Sequence, residues 1–172
     1  PLFRSSIMEN TFSTCNDLKY LNIQSFRTTS VRTFEGMFED CYNLTSLNLS
    51  QFFTYYSTNM HNMFRNCYSL VYLDVSSFST GRVQSLANIF QGCYSLTSVD
   101  VSSFDTSQAT DISQMFSNCR KIVSLNLKRF RTTQVTTIGS MFYNCYSLTS
   151  LDLSNFELTN ANSISSMFYN CT

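Results

Sequence analysis

Residues 37–52 read Met37-Phe38-Glu39-Asp40-Cys41-Tyr42-Asn43-Leu44-Thr45-Ser46-Leu47-Asn48-Leu49-Ser50-Gln51-Phe52, and variants of this frame recur along the whole 172-residue chain. Seven cysteines mark the repeat, each 26 residues from the next without insertion or deletion: Cys15, Cys41, Cys67, Cys93, Cys119, Cys145 and Cys171. Self-similarity at a fixed period is the signature of a tandem-repeat protein, in which each unit packs only against its neighbours. The function must therefore be sought on a repeated surface.

The spacing of the apolar residues predicts the fold class. A period of roughly 20 to 29 residues with an L-x-x-L-x-L core is typical of a leucine-rich-repeat solenoid. Alternating residues such as Leu47 and Leu49 predict a strand in each unit. Steps of three and four residues, as at Phe34, Phe38 and Cys41, predict a short helix.

The unit dimensions predict how these elements are arranged. Neighbouring strands lie about 4.8 Å apart, whereas packed helices need about 10 Å. We therefore predict an α/β solenoid with parallel strands on a concave face, short helices on a convex face, and about six and a half 26-residue repeats. Residues 1–172 are expected to form a single solenoid that is an excerpt of a longer array, because neither end has the polar outer face of a capping repeat.

The cysteines are predicted to form a structural ladder of buried, reduced thiols. Their odd number and single register do not fit a disulfide framework, and a small, weakly polar side chain packs well at the turn into each strand. Two alternatives remain open. Disulfides between successive units would need Cα atoms about 4.4–6.8 Å apart, and a soft-metal ladder would have to form without C-x-x-C spacing and with one histidine in the chain.

Composition excludes several classes of function. The formal net charge is +0, so the chain lacks the positive field that nucleic-acid binding requires. No apolar run approaches the roughly 20 residues of a membrane-spanning helix. The only histidine, His61, stands at a position that varies among the units, and no Ser or Cys differs from its copies in a way that would mark a nucleophile. We therefore expect no catalytic residues, no metal site and no cofactor.

Two groups of side chains depart from what the repeat frame needs and are the candidate binding residues. One is a row of aromatic residues directly after the cysteines, formed by Tyr42, Tyr68, Tyr94 and Tyr146. The other is a basic cluster within twelve positions of the fifth unit, expected to converge on one rung: Arg120, Lys121, Lys128, Arg129 and Arg131. The alternatives are that the tyrosines merely cover the edge of the core and that the basic residues are a solvated rung.

A third row lies on the predicted strand face and is formed by Asn22, Asn48, Asp74, Asp100, Asn126 and Asp152. Adjacent aspartates repel unless they are solvated or bridged by a cation, which leaves a calcium site as an alternative. The simpler interpretation is that the row faces solvent.

The frame F-x-x-C-x-x-L-x-x-L-x-L appears as Phe90-Gln91-Gly92-Cys93-Tyr94-Ser95-Leu96-Thr97-Ser98-Val99-Asp100-Val101, with Val at both later Leu places. It resembles the BspA-like leucine-rich repeat. The stretches Leu151-Asp152-Leu153-Ser154-Asn155-Phe156 and Val101-Ser102-Ser103-Phe104-Asp105-Thr106-Ser107 resemble the L-D-L-S-x-F-D-T frame of the mycoplasma-lipoprotein-type branch.

This resemblance implies an extracellular or cell-surface location and a role in adhesion. We expect a non-catalytic module that binds an extracellular protein or glycan. The alternative is a structural subunit of an extracellular filament or surface layer, whose partner is a further copy of the chain.

Overall fold

The computed structural model describes residues 5–172, which stack as successive coils of one repeat solenoid. Strand β1 spans Ser46–Asn48 and strand β2 spans Tyr72–Asp74; the two are parallel, with Leu47 opposite Leu73. Single bridges extend this strand face at Tyr20 with Ser46 and at Ser124 with Ser150. Every pairing joins residues 26 positions apart, so the predicted repeat solenoid is confirmed.

The strands are short, and they are fewer than the one per unit predicted. Both end where an Asn or Asp side chain of the strand face turns the backbone. The Asp74 carboxylate accepts a hydrogen bond from the backbone N–H of Ser76 at 3.0 Å, and Asn48 accepts one from that of Ser50 at 2.9 Å. The other members of the row do the same to the residue two positions later: Asn22, Asp100, Asn126 and Asp152. Such Asx turns end the extended segment.

The opposite face, which contains residues 33–41 and their equivalents, carries a second parallel ladder. Isolated bridges join Thr33 to Asn59, Asn59 to Ser85, Ser85 to Asp111 and Asp111 to Thr137. We call this surface the turn face. The predicted helices are wrong: residues 5–172 contain no helix, and the segments in question are chains of tight turns.

The hydrogen bonds of the turn face explain why no helix forms. The N–H of Phe38 donates to the carbonyl of Met63 in the next coil at 2.9 Å, whereas that of Cys41 donates back to Phe38 at 3.2 Å. An α-helix would direct every N–H to the residue four positions earlier. Gly36 and Asp40 have φ angles of 57° and 62°, in the left-handed region, which a right-handed helix does not permit in its interior.

Hydrogen bonds therefore connect successive coils directly on both faces. Equivalent Phe rings stack at 5.6 Å on the turn face, between Phe38 and Phe64, and at 6.3 Å on the side of the strands, between Phe78 and Phe104. The prediction of a concave strand face rested on helices wider than strands. That basis is absent, because no helices separate the coils on the turn face.

The apolar rows point inward as predicted. Leu47, Leu49 and Phe52 are buried, and so are Phe34 and the equivalent residues of the central coils. Members of the same rows in the outer coils are only partly buried, for example Leu21, Leu151 and Phe156. The core is thus one continuous column along the stack.

A row of buried threonines also crosslinks the coils. The Thr106 hydroxyl donates to the carbonyl of Arg131 at 2.7 Å and accepts from the N–H of the same residue at 2.7 Å. The equivalent threonines make the same paired bonds: Thr28, Thr54, Thr80 and Thr132. Each hydroxyl therefore pairs with both the N–H and the carbonyl of one residue in the next coil.

Candidate binding surfaces

The cysteine ladder is structural, and its thiols are free. Each thiol from Cys41 to Cys171 donates to the carbonyl of the Phe 29 residues earlier, as from Cys67 to Phe38 at 3.2 Å. The side chains of Cys41, Cys67, Cys93, Cys119 and Cys145 are buried. The prediction that all seven are buried is wrong for Cys15, which is exposed, and for Cys171, which is half-buried. These two lie in the first and last coils, where one side of the stack is uncovered.

Burial lowers the reactivity of the inner thiols by keeping them protonated. It is the main factor that raises the pKa of Cys93 and Cys119 well above the ordinary value, and the neighbouring cysteine on the ladder adds to the effect. Burial likewise raises the pKa of Cys41 to about 11 and that of Cys145 to about 12. A thiol that stays protonated is neither a nucleophile nor a metal ligand.

The tyrosine row is an ordered aromatic column at one edge of the solenoid. The rings of Tyr42 and Tyr68 stack with centroids 4.8 Å apart and planes 7° apart, and those of Tyr68 and Tyr94 stack at 4.7 Å and 2°. Partial burial, followed by the neighbouring Tyr94 and Tyr42, raises the pKa of Tyr68. Tyr42, Tyr68 and Tyr94 are half-buried, and Tyr146 is exposed.

Arg120 takes the place of a tyrosine in this column. Its guanidinium carbon lies 4.3 Å from the Tyr94 ring centroid and 5.9 Å from that of Tyr146, within the distance of a cation–π contact. The predicted aromatic row and one predicted basic residue therefore form a single continuous stack. We call it the tyrosine column: Tyr42, Tyr68, Tyr94, Arg120 and Tyr146.

The five predicted basic residues belong to one coil and are all exposed. Arg120 and Lys121 precede the apolar segment that ends at Leu127, whereas Lys128, Arg129 and Arg131 follow it. A segment of this length spans about 20 Å if it is extended, at about 3.3 Å per residue. At its second end, Arg129 and Arg131 line a shallow depression with Asp105 and Ser107. That the five side chains act as one basic patch stays a prediction.

Sequence reasoning did not single out several exposed aromatic side chains. Tyr20 and Tyr72 project from the strand face with 74% and 54% of their surface exposed. Phe53, Tyr55 and Tyr56 are exposed after β1, where Arg82 lies 4.7 Å from the ring centroid of Tyr55. The sequence marks Tyr55 by its departure from the repeat. Its position in the other units holds a small residue: Thr29, Gly81, Ser107, Thr133 and Thr159.

No group of three or more His, Cys, Asp or Glu residues within residues 5–172 is placed to hold a metal ion. The adjacent Asp74 and Asp100 instead accept hydrogen bonds from Ser76 and Ser102. The two hydrogen bonds from Ser102 lower the pKa of Asp100, so this residue is charged at neutral pH.

The repeat frame that builds these surfaces is shared with a protein family. The model of the family described as "Mycoplasma protein of unknown function, DUF285" matches residues 6–96 and 58–172. The chain belongs to this family. Comparison of this DUF285 member with curated proteins gives no match.

Among solved structures, the DUF285 chain is similar to a leucine-rich-repeat protein from Leptospira interrogans, with 12% identity, a TM-score of 0.43, and coverage of 75% of this chain and 32% of that one. It is also similar to a leucine-rich-repeat protein from Bacteroides ovatus, with 19% identity, a TM-score of 0.30, and coverage of 82% of this chain and 50% of that one. The leucine-rich-repeat protein of T. pallidum is 20% identical, with a TM-score of 0.40 and coverage of 83% of this chain and 70% of that one. The chain thus spans half or less of the first two proteins.

Across residues 5–172 the fold provides no helix of sufficient length and apolar character to cross a membrane.

Proposed function

We propose that the chain is a non-catalytic binding array that acts outside the cell or at its surface and attaches to an extracellular protein or glycan. The observation that carries this proposal is the tyrosine column. Tyrosine offers a large contact area at a low entropic cost and is enriched among the residues that dominate binding energy. The column repeats this side chain at one edge, where it remains accessible.

The chemistry of the rest of the surface supports the same function. Arg120 adds a charge within the column, and Arg129 and Arg131 add a second exposed basic site. The buried thiols of the ladder are held in their protonated form, and a thiol in that form does not attack a substrate. Binding is the function that uses the repeated surface.

The test compares attachment by surface variants in a screen of extracellular matrix proteins, glycans and host cells. Replacing Tyr68 and Tyr94 together with Ser should weaken attachment while circular dichroism shows the wild-type fold. Tyr143→Ser is the matched control, because Tyr143 stacks on Tyr169 at 5.0 Å in a different row. Equal attachment by the double variant and the wild type would contradict a role for the column.

Replacing Arg129 and Arg131 with Ser tests the second candidate site. The loss of attachment should be larger at low salt than at high salt, because exposed charges are screened over about 8–10 Å at physiological ionic strength. Salt-independent loss would show that these residues act through structure and not through charge.

Self-assembly into a filament or surface layer is the second candidate function. The observation that favours it is a lateral cluster of aromatic side chains, Phe53, Tyr55 and Tyr56, which have 57%, 55% and 49% of their surface exposed. Side-by-side packing against another copy would cover these groups. Sedimentation of the wild type and of Phe53→Ser tests this candidate: assembly that is lost in the variant, with no ligand found in the screen, would replace the adhesive proposal.

A further inference from the structure

Two tyrosines and a serine form a recess on the strand face. Tyr20 is bridged to Ser46, and Ser46 pairs with Tyr72, so the three occupy one register on successive coils. Tyr20 and Tyr72 line the two sides of an open groove of about 440 Å³, with Leu47 also in its lining. We call this feature the tyrosine groove.

The spacing of the coils fixes the width of the groove. In the tyrosine column, one ring per coil fills the available space, because consecutive rings stack at 4.7–4.8 Å. In the tyrosine groove, the middle coil contributes only the small side chain of Ser46. The space between the two rings therefore corresponds to one missing planar group.

The backbone around the groove is held in place by hydrogen bonds. The N–H of Thr45 donates to the carbonyl of Lys19 at 3.1 Å, and that of Val71 donates to Thr45 at 2.9 Å. Strands β1 and β2 pair along this same part of the strand face. The walls are thus attached to a preformed platform, which lowers the entropic cost of binding.

The chain itself shows which planar group fits such a space. Arg120 lies between Tyr94 and Tyr146, two tyrosines that are also separated by one intervening coil. Its guanidinium group contacts one ring at 4.3 Å and lies 5.9 Å from the other. A guanidinium group between tyrosines two coils apart is therefore a stable arrangement in this fold.

The charges near the groove favour a cation. Among residues 5–172, no charged side chain lines the groove itself. Asp74 and Asp100 line the adjoining depression, which shares Tyr72 with the groove, and no basic residue of the described part of the chain lines either depression. Lys19 precedes Tyr20 in the sequence but is not part of the lining.

We propose that the tyrosine groove binds the guanidinium group of an arginine side chain from a partner protein, with Tyr20 and Tyr72 on its two faces. This inference rests on the proposed binding function and specifies one kind of partner for it. The neighbouring carboxylates of Asp74 and Asp100 attract the cation, and the paired rings select a planar group.

The experiment titrates the full chain with a blocked arginine peptide, acetyl-Gly-Arg-Gly-amide, and follows the backbone amide signals of Tyr20, Ser46 and Tyr72 by NMR. Saturable shifts at these residues are expected. The matched peptide with citrulline has the same shape without the charge and should bind at least about fivefold more weakly, because a cation–π contact is lost on each ring. The lysine peptide should also bind more weakly, because its ammonium group is not planar.

Variants test the geometry directly. Tyr72→Ala should remove saturable binding, whereas Tyr72→Phe keeps the ring face and should retain it. Ser46→Tyr should fill the groove, complete a stack of three rings and abolish binding without loss of fold. Ser98→Tyr is the matched control, since it introduces the same side chain in the same row on the far side of Tyr72.

Equal binding of the arginine and citrulline peptides would overturn the proposal, as would unchanged binding by Ser46→Tyr. Tighter saturable binding of methyl glucoside at the same residues would show a sugar site instead. Failure here is distinguishable from failure of the general function: attachment in the ligand screen that persists in Ser46→Tyr would reject the groove and keep the adhesive role.

Discussion

Alkaline pH should destabilise this solenoid through its buried thiols. Cys67, Cys93 and Cys119 have pKa values well above the ordinary value of 9.0 in the folded chain, chiefly because burial disfavours the thiolate. On unfolding, each thiol returns to its ordinary pKa. Above pH 9 the unfolded chain therefore releases protons that the folded chain retains, and the equilibrium shifts towards unfolding.

The size of the effect follows from these pKa differences. At pH 10, each fully buried thiol lowers the free energy of unfolding by between about 1 and 2 kcal/mol relative to a pH well below 9. The three thiols together account for about 4 kcal/mol, a large part of the roughly 5–15 kcal/mol that stabilises a typical domain. The stabilisation is fully present below pH 9 and is lost as pH rises towards the raised native values.

The assay is urea unfolding followed by circular dichroism at pH 7 and pH 10 under reducing, oxygen-free conditions. Other groups also titrate in this range, so the decisive quantity is the difference between variants. Cys93→Ala should reduce the pH-dependent loss by between about 1 and 2 kcal/mol, whereas Cys15→Ala, at an exposed position, should leave it unchanged. An identical loss in Cys93→Ala and the wild type would refute the assignment to buried thiols.

Further substitutions test the packing and hydrogen bonds between coils by urea unfolding. Thr106→Val should cost about 2–3 kcal/mol because it leaves the backbone N–H and carbonyl of Arg131 unpaired, and Thr106→Ser should cost about 1 kcal/mol; equal costs would contradict the role of the hydroxyl. Gly92 has a φ of 73°, and an added Cβ would lie 2.7 Å from Oδ1 of Asn66, so Gly92→Ala should destabilise the chain by about 1–2 kcal/mol; an unchanged unfolding midpoint would refute this strain. Phe116→Ala should cost about 3–5 kcal/mol, and the half-exposed Phe168→Ala clearly less; equal shifts in the unfolding midpoint would argue against a nearest-neighbour stack.

The repeat, its register and its inward rows could be predicted because burial recurs with the sequence period. Leu47, Leu49 and Cys41 are buried in one coil, and their equivalents occupy the same places in the next. The frame could not show that Cys15 would be exposed, because burial depends on the coil stacked above a residue and not on the residue's own sequence context. The same dependence explains why Phe168 and Phe142 differ in exposure despite equivalent positions.

The candidate sites were only half predictable for a related reason. The sequence identified the tyrosine row, but not that Arg120 continues the stack, since that requires the distance between coils. It grouped Lys121 with Arg131, because ten residues are close in sequence, and that grouping stays a prediction, since an extended segment carries its two ends apart. A tandem repeat makes residues 26 apart into neighbours and separates many residues that are ten apart.

The helix prediction was wrong because hydrophobic spacing does not distinguish a helix from a chain of turns. Residues three and four positions apart face the core in both, as Phe34, Phe38 and Cys41 do here. A helix and a chain of turns are distinguished by a second residue with positive φ, four positions before the one that precedes the cysteine. Gly36 and Asp40 both adopt positive φ, four residues apart, whereas a helix accepts such a residue only at its end. Asn, Asp or Gly fills both places in three units, at residues 36 and 40, 62 and 66, and 88 and 92. Such a pair before a cysteine indicates consecutive turns, whose N–H groups bond the next coil.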